Sequence, residues 1–236
     1  MSCLKIMPAW YMSILDQHGE KQLRFNPPEP YRPPDLWTFC GKCAGCKERQ
    51  KKDWGVRLFH ESKMHEKSSF ITFTYDEQYV PDKISKKHAS NFMKRLKRYA
   101  GSHVRYYTTG EYGEKTRRPH YHSIIFGEDF RQNEHTFQIG QDTWGDMKLQ
   151  EIWGMGAIQI ADFNPARAFY TAGYVAKKLD DPDTFSIKSI NPPIGKGWLE
   201  KYYDNLVRLK CVIINGQEYS IPRVYLEWLR GVEGYD

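Results

Sequence analysis

His120 and His122 are separated by one residue in a segment, His120 to Phe126, that reads as a β-strand. Residues i and i+2 of a strand point to the same face, so the two imidazoles stand side by side and can chelate one metal ion. Glu111 ends the preceding strand-like run and returns beside His120 if the two runs form a hairpin. Glu114 is the competing third ligand, and spacing does not choose between them. Two histidines and a carboxylate leave coordination positions open on Mg²⁺ or Mn²⁺. Further along, Tyr170, Tyr174 and Lys177 fall on one side of a helical run, away from an apolar stripe of Phe169, Ala172, Ala176 and Leu179. Residues i and i+4 are helix neighbours, so two phenols reach one point in space, off the packed face. The Lys177 ammonium can neutralise a phosphate or help lower a phenol pKa from its usual ~10. A metal site with open positions polarises a phosphodiester, and a phenol beside it can attack the phosphorus. The product would be a covalent 5′-phosphotyrosine and a free 3′-hydroxyl. That linkage keeps the bond energy, so the strand can be rejoined, and a second tyrosine permits a second transesterification.

A separate ligand group is formed by Cys40, Cys43 and Cys46. A structural Zn²⁺ needs four ligands. Cys3 is the preferred fourth, because the extended proline-rich arm that carries it can fold back; His60 and His65 compete with it. The plainer alternative is three free thiols at a tight turn containing Gly41 and Gly45. The first fifteen residues show no secretory-signal pattern, and without export the clustering favours metal over disulfides. Cys211, in a run read as a strand, is expected buried and inert.

The elements that must position these groups follow from composition and pattern. The chain has 236 residues, 40% hydrophobic and 27% charged, which are globular values that exclude wholesale disorder. Its apolar stretches are far shorter than a bilayer crossing, so no membrane association is expected. A net charge of +6 is compatible with a polyanionic partner, and 15% aromatic residues could supply rings for base stacking, although most such rings belong in a core. Residues 1–39, rich in proline, read as an extended arm with little regular structure. Cys43–Met64 reads as a helix, Ser68–Tyr75 as a strand and Ile84–Ala100 as a helix. In this last helix Lys94, Arg95, Lys97 and Arg98, together with Lys83, Lys86 and Lys87, are uncompensated by any acid, which makes a phosphate-facing role as plausible as a merely solvated face. His103–Glu111 and His120–Phe126 read as a hairpin pair, and a polar loop follows them. Then come a short helix at Leu149–Trp153, a strand at Ala157–Phe163 and a helix at Pro165–Leu179 capped by Asn164. A helix near Trp198–Leu206, a hairpin at Asn215-Gly216 and a final helix from Pro222 complete the chain. The fold class is α+β with a mainly antiparallel sheet and flanking helices.

Phe70-Ile-Thr72-Phe-Thr74, His120-Tyr-His122 and Tyr170-x-x-x-Tyr174-x-x-Lys177 occur in the order and approximate spacing of the three motifs of HUH endonucleases, the rolling-circle replication initiators. The chain resembles in particular the initiators of Microviridae, small single-stranded DNA phages, of the gokushovirus type. Cys40-Gly-Lys-Cys43-x-x-Cys46, Gly110-Glu111-Tyr112-Gly113, Arg118-Pro119-His120 and Tyr174-Val-Ala-Lys177 are similar to that group, over about residues 40–180. The resemblance implies a five-stranded antiparallel sheet with the His pair on a central strand and the tyrosine helix beside it. Tyr174 matches the tyrosine shared with one-tyrosine relatives, and Tyr170 the extra one of two-tyrosine relatives. The threonines of the first motif are assigned structure or DNA contact and no catalytic role. The expected division is an N-terminal arm, Cys cluster and basic helix at 1–66, an endonuclease core at 67–180, and an extension at 181–236 that packs on or completes the core.

Two loops that superficially suggest phosphate binding are incomplete. Glu114 breaks the Gly-Lys pair after Gly113, and Gly195-Lys196-Gly197 lacks the following Ser or Thr. ATPase activity is therefore not expected, and strand separation falls to a partner. The expected partners are single-stranded viral origin DNA and the host helicase and replication machinery, in the host bacterial cytoplasm. A transposase or relaxase of the same superfamily is an alternative. So is a non-catalytic, zinc-stabilised DNA-binding module, which leaves the His and Tyr pairs as coincidences.

Overall fold

The computed structural model describes residues 3–15, 21–177, 181 and 183–230, with the backbone alone at 175–177. The chain divides into two compact units, Met1–Arg49 and Gln50–Asp236. In the first, β1 (Ile6–Leu15), β2 (Lys21–Arg24) and β3 (Leu36–Phe39) form an antiparallel sheet in the order β2-β1-β3. This corrects the expectation of an arm with little regular structure. Pro27, Pro28, Pro30, Pro33 and Pro34 all fall between β2 and β3, where they interrupt no ladder. Pro8 lies inside β1, but Ile6–Ala9 pair only with β3 while the pairs to β2 begin at Trp10, so the strand has an open edge at Pro8. Among the described apolar side chains of this unit only Ala9, Trp10 and Cys46 are buried, which is very little core for a unit of this size.

α1 (Ala44–Ser62) runs from the first unit into the second. The second unit continues with β4 (Ser68–Thr74), α2 (Lys86–Ala100), β5 (Arg105–Tyr112) and β6 (Pro119–Phe126). Next come β7 (Thr136–Gly140), β8 (Thr143–Asp146), α3 (Met147–Trp153), β9 (Ile158–Asp162), α4 (Pro165–Lys177) and β10 (Phe185–Lys188). The chain closes with α5 (Lys196–Leu209), β11 (Val212–Ile214), β12 (Gln217–Tyr219) and α6 (Arg223–Leu229). The main sheet has seven antiparallel strands in the order β10-β5-β6-β4-β9-β8-β7, not five. β7 and β8 come from the run read as a polar loop; β7 is largely exposed, so it carries no alternating apolar pattern. β10 has four residues and lies beyond 180.

Alternation along the strands sorts the side chains onto two faces. Ile71, Phe73, Tyr121 and Ile125 meet Phe92 and Leu96 of α2 and Trp153 of α3 on one face. Phe70, Tyr107, Ile124 and Phe126 meet Leu58 of α1 and Ala168 and Ala172 of α4 on the other. Ser85 caps α2, accepting from the His88 N–H at 3.2 Å, so the helix begins two residues later than its apolar periodicity suggests. Asn164 caps α4 through Arg167 N–H at 3.0 Å. α5, α6 and the β11–β12 hairpin pack on Val56 of α1 as a third cluster. The Glu61 carboxylate accepts from Arg105 and from the Gly195 N–H, while Arg105 also donates to the Pro192 carbonyl at 2.6 Å, which ties this C-terminal segment to α1 and β5. Among the described residues no helix is long and apolar enough to cross a membrane.

Candidate active site and cysteine cluster

β6 lies between β5 and β4, and the ladders place Glu111 opposite His120, and both Thr109 and Thr72 opposite His122. Glu111 Oε1 stands 3.0 Å from His120 Nε2 and 3.4 Å from His122 Nε2. The three side chains each offer a ligand atom within 4.8 Å of the others, and Glu111 and His122 are buried. Glu114, the other sequence candidate, is exposed on the turn between β5 and β6. The remaining ring nitrogens are occupied as metal-ligating histidines require: His120 Nδ1 is 3.2 Å from the Arg118 carbonyl oxygen and His122 Nδ1 is 3.0 Å from Thr72 Oγ1. Donation from Nδ1 to the carbonyl leaves His120 Nε2 as the free lone pair facing Glu111. A divalent cation fits this donor set, since two neutral imidazoles and one carboxylate converge at the open end of a strand pair.

α4 brings both tyrosines to the same face. The Tyr174 ring stacks on His122 at 5.6 Å and 15°, the Tyr170 ring meets His122 edge-on at 5.7 Å, and the two phenol rings are 5.2 Å apart. Tyr170 is 52% exposed, whereas Tyr174 is 4% exposed. The expectation that both phenols lie off the packed face therefore holds for Tyr170 alone: Tyr174 is packed, but against the His pair. Burial pushes the Tyr174 phenol above its ordinary pKa, and hydrogen bonds with Tyr170 and Glu111 act in the same direction. That is opposite to the lowering expected from Lys177, whose side chain lies outside the described residues.

Phe70, Thr72 and Thr74 share the His face of β4, and Phe70 stacks on His122 at 5.4 Å. Thr72 is the residue whose role the sequence reading missed. The signal was available, because pairing the first motif antiparallel to His120-Tyr-His122 puts a threonine opposite a histidine. Lys94, Arg95, Lys97 and Arg98 are not brought to this site: α2 covers the opposite face of the sheet. The Arg95 guanidinium donates to the carbonyls of Ile152 (2.7 Å) and Trp153 (3.0 Å) at the end of α3, which corrects its reading as a residue facing phosphate. Lys94 and Arg98 are exposed.

Cys3, Cys40, Cys43 and Cys46 also converge, with each sulfur within 4.8 Å of the others. The Sγ separations are 3.7 Å for Cys3–Cys40, 3.8 Å for Cys3–Cys43 and 3.9 Å for Cys40–Cys46. A tetrahedron with Zn–S arms of about 2.3 Å has edges of about 3.8 Å, so Zn²⁺ fits this cage closely. Backbone N–H donors, Leu4 foremost, pull the Cys43 thiol down to about 6, whereas burial pushes Cys46 up to about 12. His60 is occupied elsewhere, stacked on Trp198 with its Nδ1 3.2 Å from the Tyr225 hydroxyl, and His65 pairs with Glu61. Cys211 is half-buried just before β11, not buried within a strand as expected.

Residues 68–180 match the family model of the replication-associated protein ORF2. The replication-associated protein VP4 of Bdellovibrio phage phiMH2K is 30% identical over 210 residues, covering 81% of this chain and 67% of the relative. The chain belongs to this family. The replication-associated protein ORF4 of Chlamydia phage 1 is 30% identical over 247 residues, covering 96% of the chain and 60% of the relative. ORF2 of Spiroplasma virus 4, likewise named a replication-associated protein, is 31% identical over 179 residues, covering 70% and 56%. The chain thus spans roughly three fifths of the length of these family members. No solved structure matches it. The matches agree with the resemblance to Microviridae rolling-circle initiators seen in the motifs, and the family model spans all three of them.

Proposed function

We propose that this chain is a replication initiator that nicks and rejoins single-stranded origin DNA. A phenol oxygen of Tyr170 or Tyr174 bonds to the scissile phosphorus as the phosphorus–O3′ bond breaks. The phenol proton leaves through solvent, the departing 3′-oxygen is protonated to a free hydroxyl, and the 5′-phosphate stays on the tyrosine. Glu111, His120 and His122 would hold Mg²⁺ or Mn²⁺, which when bound supplies Lewis-acid polarisation of the phosphodiester. Thr72 and the Arg118 carbonyl orient the imidazoles, and Tyr174 lies against His122, so nucleophile and ligands share one sheet face. The partner phenol of Tyr170 permits a second transfer that rejoins a strand without releasing the first product. In this reading the Cys3, Cys40, Cys43 and Cys46 cage holds a structural Zn²⁺, and the chain acts in the host cytoplasm with a host helicase.

The observation that carries the reading is that both tyrosine rings lie within 5.7 Å of His122, itself a member of the Glu111, His120, His122 group. The test is incubation with end-labelled single-stranded origin DNA and Mn²⁺, followed by a denaturing gel. A covalent band that Tyr170→Phe/Tyr174→Phe removes and that His120→Ala strongly slows is expected. Binding with no covalent band favours the zinc-held binding module instead, and a band that persists in the double variant refutes the tyrosine assignment.

A further inference from the structure

We propose that one face of the N-terminal sheet is a second binding surface for single-stranded DNA, distinct from the tyrosine site. The face is built from the β1–β3 ladder, where Ile6 pairs with Phe39 and Pro8 with Trp37. Trp37 and Phe39, two residues apart on one strand, point the same way. They are 60% and 49% exposed, and Ile6 beside them is 54% exposed. Rings of this size normally supply the core of a small unit. Here the unit buries only Ala9, Trp10 and Cys46 among its described apolar side chains, and the four-sulfur cage does the holding. The rings therefore remain available for another role.

The chemistry of the surroundings selects the occupant. The Arg49 guanidinium lies 3.8 Å from the Phe39 ring centre. The two segments that build the face, Leu4–Leu15 and Leu36–Lys47, contain Lys5, Lys42 and Lys47 and no acidic residue. Aromatic rings bordered by cations fit bases that stack while their phosphates are neutralised. Residues i and i+2 of a strand are about 6.5 Å apart, so each ring can receive its own base. A second copy of the chain fits less well. A stripe of four side chains falls short of the roughly 800 Å² that each partner gives to a stable interface, and the centre of such an interface excludes charge such as Arg49. The choice of DNA over another polyanion rests on the proposed nicking reaction. The surface would hold a further stretch of the same strand and lengthen the stay of the nicked product.

The test uses the full zinc-loaded chain and a fluorescein-labelled, mixed-sequence single-stranded 20-mer, followed by anisotropy. Trp37→Ala/Phe39→Ala should weaken binding about tenfold or more, while Tyr170→Phe/Tyr174→Phe should stay within about twofold of the unaltered chain. Unchanged affinity in the Trp37/Phe39 variant overturns the proposal. Crosslinking of 5-iododeoxyuridine DNA to the unaltered chain guards against a misfolded variant: crosslinked peptides that include residues 37–39 support the surface, and crosslinks confined to residues beyond 49 overturn it. A dimer by light scattering that this variant abolishes also overturns it, in favour of self-docking. If the covalent band never forms but the anisotropy loss and the crosslinks are found, the nicking reading fails and this surface stands.

Discussion

Thr72 Oγ1 lies 3.0 Å from His122 Nδ1, across the β4–β6 ladder. Through this contact the threonine of the first motif fixes the imidazole so that Nε2 faces Glu111. Partners of this kind typically contribute 10–100-fold to metal affinity. Thr72→Val keeps the shape and removes the hydroxyl, so Mn²⁺ affinity should fall by roughly that factor. Thr72→Ser should restore it. Titration followed by Mn²⁺ paramagnetic resonance reads both, independently of any DNA reaction. Equal affinity in the Val variant would show the contact to be incidental.

The two tyrosines differ in surroundings and should differ in consequence. Tyr174 is packed on His122 and hydrogen-bonded with Glu111, whereas Tyr170 is half exposed. Tyr174→Phe should cut covalent adduct formation by about 100-fold or more, an effect of the size expected when a nucleophile is removed. Tyr170→Phe should retain a single adduct but lose strand transfer to a second acceptor. Denaturing gels with peptide mapping of the DNA-linked tyrosine distinguish the two, and an adduct found on Tyr170 alone would reverse the assignment.

The cysteine cage should be a folding device for residues 1–49. The unit has almost no apolar core, so its ordering depends on four thiolates closing on one ion, and metal binding is then folding free energy. Chelation, or Cys43→Ser, should expose the segment before position 50 to proteases and leave the seven-stranded unit, with its own core clusters, resistant. Co²⁺ substitution should produce thiolate charge-transfer absorption at one ion per cage. Protease resistance of the N-terminal segment in the metal-free chain would contradict this.

The site was more legible in the sequence than the sheet around it. His120 and His122 announce themselves because a strand has period two, and the Tyr170–Tyr174 pair because a helix places i and i+4 together. Glu111 could not be separated from Glu114 until the hairpin register was known, since a turn two residues longer or shorter exchanges their positions. β7 stayed hidden because its side chains are largely exposed, and β10 because four residues are too few to show a period. Proline density misled the reading of residues 1–39: the five clustered prolines occupy one connection, and the strands on either side are ordinary. Arg95 read as a phosphate contact because a sequence does not reveal that the carbonyls at the end of α3 lie within its reach.

His60 should make the fold sensitive to mild acid. Its ring is 2% exposed and stacked on Trp198 at 3.4 Å, and burial pushes its pKa from 6.5 down to about 3. The folded chain thus resists a proton that the unfolded chain accepts. Stability from this group is fully present above 6.5 and is lost progressively as pH falls toward 3. The slope approaches 1.4 kcal/mol per pH unit at most. Glu61, whose carboxyl is held below its usual 4.5 by hydrogen bonds from His65, Gly195 and Arg105 that outweigh the opposing effect of burial, acts in the same direction but only at lower pH. Between 6.5 and 4.5 the His60 contribution therefore stands apart from it. Urea unfolding at pH 7, 6 and 5 should show stability falling with acid in the unaltered chain, and a flatter profile for His60→Gln. An equal pH slope in the variant, or an imidazole that titrates near its ordinary value by NMR, would refute the assignment.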